Sequence, residues 1–106
     1  MSTDIIACKN IIKYLYNINT NEEIASFTFS SRLNDYDEIY NLFINNYAGI
    51  LTEKDDDAVF DIYIFSRNRI LKMKKINDEK NFGDDVTWFL DKLLSSDVEI
   101  FYIKIF

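Results

Sequence analysis

The segment that most constrains the fold is the last nine residues, 98–106. Written as a strand, it is apolar on both faces, with Phe101, Ile103 and Ile105 on one and Val98, Ile100, Tyr102 and Phe106 on the other. A strand of this kind belongs in the middle of a sheet or in an oligomer contact. It is far shorter than the roughly 20 apolar residues that a membrane helix needs. We therefore expect a sheet that contains this strand.

Periodicity predicts the other elements. Apolar residues at helical spacing predict helices over about 3–17, from Tyr36 to about Tyr47, and over about 84–94. Alternating apolar and polar residues predict strands over 25–30 and 59–65, and a tight turn at 67–68 predicts a further strand, 70–76. Residues 53–57 are interpreted as a charged loop.

The predicted fold class is α/β of the α+β type, with one domain over residues 1–106. We expect a single four-stranded sheet, mixed or antiparallel, with three packed helices in the order α-β-α-β-β-α-β. Hydrophobic residues make up 48% of the 106 residues, which supplies one compact core. The chain has no proline and two glycines, so we expect short connections.

The charge is unevenly distributed. Residues 67–80 hold six basic and two acidic residues, a balance of +4, whereas the remainder holds six basic and 16 acidic residues, a balance of −10. An acidic surface repels nucleic acid and attracts a basic protein. The simpler alternative is that the negative charge only maintains solubility.

The residues that usually carry catalysis are missing. Histidine is absent, and the single cysteine, Cys8, lies on the apolar stripe of the first predicted helix, where we interpret it as core. The isolated Gly49 and Gly83 match neither a phosphate-binding nor a dinucleotide-binding loop. We therefore predict no catalytic residue, no metal site and no cofactor, and we do not expect an enzyme.

Carboxylates offer two weaker alternatives. The run Asp55-Asp56-Asp57 could bind Ca²⁺ or Mg²⁺, but it lacks the alternating pattern of an EF-hand, and a solvated charge run is favoured. Asp61 could pair with Glu99 as an acid/base couple. A cross-strand salt bridge from Asp61 to a basic residue of 69–74 is the interpretation that we favour.

The basic segment also permits two interpretations. In a strand, Lys72 and Lys74 project to one side and Lys75 to the other, and they could contact nucleic acid while Tyr63 and Phe65 stack on bases. Lysines also protect exposed strand edges from pairing. The acidic remainder of the chain favours the protective role.

Trp88 is the most informative single residue. At 100° per residue it lies about 200° from Val86, on the face of the third helix opposite the core stripe. Its helical neighbours are Asp84, Asp85, Asp91 and Lys92. Exposed tryptophan is typical of binding hot spots, although another element could cover it. We predict a partner-binding surface that comprises Trp88, Asp84, Asp85, Asp91, Asp55, Asp56 and Asp57.

In size, acidity and lack of catalytic residues, the chain is similar to bacterial immunity proteins that neutralise a cognate nuclease toxin, and to phage-encoded anti-CRISPR proteins. The similarity is one of type, and no family residue is carried over. It implies an antitoxin-like inhibitor that occludes the active site of a basic partner, either a toxin or another nucleic-acid enzyme. The alternative class is a non-catalytic adaptor, including a homodimer through the last strand.

The expected location is the bacterial cytoplasm. Residues 1–4 lack the basic region of a secretory signal, and a single cysteine fits a reducing compartment. We therefore expect a protein partner, with no direct binding to nucleic acid and no membrane association.

Overall fold

The structure is a computed structural model that describes residues 2–10, 23–30, 32, 35–55 and 58–105. Within these residues there are five strands and three helices. In chain order they are β1 Ser2–Cys8, β2 Glu23–Ser30, α1 Tyr36–Ile44, β3 Gly49–Asp55, β4 Ala58–Ser66, α2 Arg67–Lys80, α3 Asp84–Ser95 and β5 Ile100–Ile105. The α+β class is confirmed, but the sheet has five strands instead of four, and the order is β-β-α-β-β-α-α-β.

The sheet is antiparallel throughout, with the strand order β2-β1-β5-β4-β3. β5 is the central strand, as its two apolar faces predicted. Its Ile103 faces Ala7 of β1 on one side and Tyr63 of β4 on the other. Because both edges of β5 are hydrogen-bonded within the chain, a dimer through this strand would have to use side chains instead of backbone pairing.

The helices cover one face of the sheet, and aromatic rings fill the space between. The ring of Phe43 in α1 lies 6.1 Å from that of Phe27 in β2, 6.3 Å from Phe65 in β4 and 5.8 Å from Phe89 in α3. Ile70 and Met73 bring α2 into the same core. One central phenylalanine therefore joins the sheet to two helices, at distances typical of favourable aromatic pairs.

The predicted N-terminal helix is wrong where the structure describes it. Residues 2–8 form β1, and residues 11–17 lie outside the described residues. The contiguous apolar run at 5–8 is compatible with a helix or a strand. This segment forms a strand because its backbone pairs with β2 and β5. Cys8 is buried as expected, but in a strand.

The predicted strand 70–76 is also wrong, because this segment belongs to α2. Ile70, Met73 and Asn77 are buried, and their spacing places them on one face of a helix. Ser66 accepts a hydrogen bond from the backbone N–H of Arg69 (3.4 Å), which is the pattern of a helix N-cap. The basic segment is therefore a helix, and it does not protect a strand edge.

The hairpin partner of β4 is β3, which overlaps the predicted charged loop. Residues 53–55 lie in β3, and Asp56 and Asp57 lie outside the described residues. Helix α1 ends at Ile44, before the predicted end near Tyr47, and Gly49 begins β3. The strand predicted over 59–65 is confirmed as β4.

The third predicted helix is confirmed as α3, which begins at Asp84 with Gly83 as its N-cap. The positive φ of Gly83, 114°, suits glycine and permits the tight turn from α2. In the described part of the chain, no helix combines the length and the apolar character required to cross a membrane.

Candidate protein-binding surface

Trp88 lies on the outer face of α3. The opposite face carries the buried residues Val86, Phe89, Leu90 and Leu93, which pack into the core. Trp88 itself is 51% exposed, as the helical geometry predicted. Among the described residues, the other exposed large hydrophobic side chains are Ile50, Leu71 and Ile100, none of which lies on α3. Trp88 is thus a large apolar side chain presented by a rigid element.

Polar contacts with α2 hold α3 in position. The side chain of Asn77, which is 1% exposed, donates from Nδ2 to Thr87 Oγ1 (2.8 Å) and accepts at Oδ1 from the N–H of Phe82 (3.1 Å). The guanidinium of Arg67 donates to the carbonyls of Leu94, Ser96 (2.9 Å) and Val98 (3.1 Å). These bonds satisfy carbonyl groups at the C-terminal end of α3 that lack helical partners. Both ends of the helix that presents Trp88 are therefore fixed.

Asp91 is already paired within the chain. Its Oδ1 lies 3.0 Å from Lys74 Nζ, and the same ammonium lies 3.1 Å from Asp78 Oδ1. The hydrogen bond that Lys74 donates to Asp91 raises the pKa of Lys74 above its usual value; burial opposes this shift, and the hydrogen bond to Asp78 adds to it. Of the carboxylates near Trp88, Asp91 thus contributes the least uncompensated charge.

Asp84 and Asp85 form the acidic rim of a surface pocket. Both are exposed in the first turn of α3, where negative charge is favourable next to the helix N-terminus. Together with Asp35 they surround a cavity of about 260 Å³. Its apolar lining consists of Phe27, Phe29, Ile39, Phe82 and Val86. We name this cavity the acidic pocket.

The acidic pocket can accommodate a side chain with an apolar stem and a cationic end. Lysine and arginine have this form, since their aliphatic stems pack on apolar surface while the charge stays in water. Three carboxylates at the rim would stabilise such a charge. Trp88 lies one helical turn beyond Asp84, so a single partner surface could contact both features.

Asp55, the described residue of the predicted aspartate run, does not lie near this surface. Asp55 ends β3, an outer strand of the described sheet, whereas α3 packs against β2 at the opposite side. Four strand spacings, about 19 Å, separate β2 from β3. Asp56 and Asp57 lie outside the described residues. Of the five predicted residues that the structure describes, it therefore brings together four: Trp88, Asp84, Asp85 and Asp91.

The two alternatives for Asp61 are wrong. It accepts a hydrogen bond from Thr52 Oγ1 (3.0 Å), and the basic residues of 69–74 lie in a helix instead of a neighbouring strand. In the β4–β5 register Ile62 faces Lys104 and Ser66 faces Ile100, so Asp61 and Glu99 lie at opposite ends of the pair, about 20 Å apart. In the described part of the chain, no three potential metal-ligating side chains cluster closely enough to hold a metal ion.

Sequence reasoning did not identify the pocket residues Asp35, Ile39 and Phe82. They come from α1 and from the turn between α2 and α3, and no local pattern indicates that these elements meet. Comparisons with protein-family models, curated proteins and solved structures find no significant match to this chain. The function is therefore inferred from the geometry of the site.

Proposed function

We propose that the chain is a stoichiometric inhibitor that binds a basic protein through α3, in the manner of an immunity protein that neutralises a nuclease toxin. The observation that carries this proposal is that one helix, α3, presents the half-exposed Trp88 on its outer face and lines an acidic pocket with an apolar interior at its N-terminal end. Tryptophan is enriched among interface residues whose truncation to alanine costs about 2 kcal/mol or more of binding free energy. A phage-encoded inhibitor of a nucleic-acid enzyme would use the same surface in the same way.

Binding would begin with electrostatic attraction. The chain carries a net charge of −6. A partner with a basic active site would be steered towards the acidic surfaces of the chain. Asp84 and Asp85 provide this charge next to Trp88. The association rate should therefore fall as salt concentration rises.

The complex would then be held by two anchors. The indole of Trp88 would be buried against the partner, and a lysine or arginine of the partner would enter the acidic pocket. Active sites that bind phosphate groups are rich in these two residues. An inhibitor that binds these lysine and arginine side chains would therefore compete with nucleic acid for them.

The experiment is affinity capture from a lysate of the source organism, with the wild-type chain and two variants as bait. Trp88→Ala removes the proposed anchor. Leu71→Ala is the matched control, because Leu71 is 50% exposed but lies on α2. Captured proteins are identified by mass spectrometry, purified, and tested for nuclease activity with increasing amounts of the chain.

We expect a basic protein to be recovered with the wild type and with Leu71→Ala, and to be lost with Trp88→Ala. Its nuclease activity should reach a minimum at one equivalent of the chain. Equal recovery with a folded Trp88→Ala variant would contradict the proposed surface. Unchanged nuclease activity in a one-to-one complex would contradict inhibition and favour an adaptor.

A further inference from the structure

A second surface lies between α1 and α2, away from Trp88. It is a groove of about 420 Å³ with one wall from each helix. The α2 wall contains Lys72, Ile76 and Lys80, and the α1 wall contains Asn41 and Asn45. Two ammonium groups thus face a wall that carries side-chain amides and one carboxylate, that of Glu38.

The α2 wall is regular because its residues are four apart. Each interval of four residues advances about 6 Å along a helix, so Lys72, Ile76 and Lys80 form a row about 12 Å long. The row borders the buried face of α2, which is formed by Ile70, Met73 and Asn77. Helix α2 therefore presents a row in which an apolar side chain, Ile76, lies between two cationic ones.

The charge of this row is available to a ligand. Other cations of α2 are engaged inside the molecule, since Arg67 binds carbonyls of the α3 end and Lys74 binds Asp78 and Asp91. Within the described part of the chain, neither Lys72 nor Lys80 has a carboxylate within 4.0 Å. A positive groove on a chain of net charge −6 is a local exception that favours an anionic occupant.

We propose that this groove binds an extended acidic peptide segment of a partner protein, with the pattern acidic-x-apolar-x-acidic. Alternate residues of an extended chain share one face and are about 6.6 Å apart, close to the 6 Å interval of the row. The two carboxylates then pair with Lys72 and Lys80, and the apolar side chain between them contacts Ile76. Asn41 and Asn45 have donors and acceptors that can bind the peptide backbone.

A nucleic acid fits the groove less well. Its backbone carries a negative charge at every nucleotide, which would place phosphate next to Ile76 as well as next to the lysines. A peptide with charge only at alternate positions on one face avoids this conflict. This surface differs from the α3 surface, so the inference does not depend on the proposed inhibitor function.

The test is fluorescence anisotropy with the labelled peptide Ser-Glu-Ser-Leu-Ser-Glu-Ser and the full chain. A matched ligand, Ser-Glu-Ser-Leu-Glu-Ser-Ser, has the same composition but directs its two carboxylates to opposite faces. A single-stranded oligonucleotide of 12 nucleotides is the third probe. The protein variants are Lys72→Gln/Lys80→Gln and, as a control of equal charge, Lys75→Gln/Lys92→Gln, whose lysines are exposed outside the groove.

We expect the first peptide to bind at least about tenfold more tightly than the matched ligand, since only it forms both charge-assisted pairs. The groove variant should lose about tenfold or more in affinity, whereas the control variant should stay within about twofold. The side-chain amide signals of Asn41 and Asn45 should shift in NMR spectra on titration.

Three results of the comparisons would overturn the proposal, and so would the absence of binding. They are equal losses in the two double variants, equal binding of the two peptides, and tighter binding of the oligonucleotide than of the first peptide. Absence of any anisotropy change at millimolar protein, with the wild type folded by circular dichroism, would overturn it as well.

Discussion

Lys74 Nζ lies 3.0 Å from Asp91 Oδ1, and this ion pair joins α2 to α3 next to Trp88. It connects the basic helix with the acidic surface inside one molecule. One of the carboxylates of α3 is thereby compensated, and Asp84 and Asp85, together with Asp35 at the acidic pocket, carry the charge that a partner would encounter.

The Lys74–Asp91 pair should contribute modestly to stability, because both side chains are partly exposed. In a double-mutant cycle with Lys74→Gln and Asp91→Asn, we expect a coupling of about 0.5 kcal/mol, measured by urea unfolding. The same cycle with Lys75→Gln in place of Lys74→Gln should give coupling near zero. Equal coupling in the two cycles would mean that general charge, and not this pair, is responsible.

Trp88 should report its exposure directly, because it is the single tryptophan of the chain. We expect its fluorescence to be readily quenched by acrylamide and its emission maximum to move little when the chain unfolds in urea. Binding of a partner to α3 should shift the emission to shorter wavelength and protect it from the quencher. A blue-shifted emission that resists acrylamide in the isolated chain would show that the indole is covered.

Asn77→Ala should destabilise the fold strongly. The change removes the acceptor for the Phe82 N–H and the donor to Thr87, at a site that is almost fully buried. A buried polar group without a partner costs about 1–3 kcal/mol, so we expect a loss of about 2–3 kcal/mol in the free energy of unfolding. Asn68→Ala, an exposed site on the same helix, should change it by less than about 0.5 kcal/mol. Similar losses for the two variants would exclude this role for Asn77.

Tyr63 should ionise at unusually high pH. Burial raises its pKa above the ordinary 10.0, and Tyr40, Asp61 and Tyr47 add to the shift. Since the pKa is higher in the folded than in the unfolded chain, the stability that Tyr63 contributes is complete below pH 10.0 and is lost as pH rises through the folded value. The phenolate absorbance of wild type minus Tyr63→Phe should therefore titrate above pH 10.0. A difference curve centred at or below this pH would contradict the prediction.

Local sequence patterns predicted the correct element where the spacing of apolar residues fits only a helix or only a strand. In α3, the buried residues 86, 89, 90 and 93 match a helical stripe and no strand, and the outward direction of Trp88 follows from the same stripe. The C-terminal segment was equally informative, because apolar residues on both faces of a strand require cover on both sides. These two elements were predicted correctly, and they provide the proposed anchor and the centre of the sheet.

Sequence patterns predicted the wrong element where a segment fits both the period of a helix and the period of a strand. In α2, Ile70 alternates with Lys72 and Lys74 as in a strand, while the burial of Met73 and Asn77 belongs to a helix. At 5–8, an unbroken apolar run has no decisive period, and hydrogen bonds to β2 and β5 select the strand. The acidic pocket was equally beyond prediction, since its residues come from β2, α1 and the α2–α3 turn and meet only after packing.

The sequence by itself determined the α+β class, the central position of the C-terminal strand and the outward face of α3, because each depends on the spacing of apolar residues within one element. Only the tertiary structure decided that the N-terminal segment is a strand, that the basic segment is a helix, and that Lys74 compensates Asp91. Those outcomes depend on contacts between residues far apart in the chain, such as pairing with β5 and packing against α3. The free energy of such contacts exceeds the small differences in local propensity that a sequence displays.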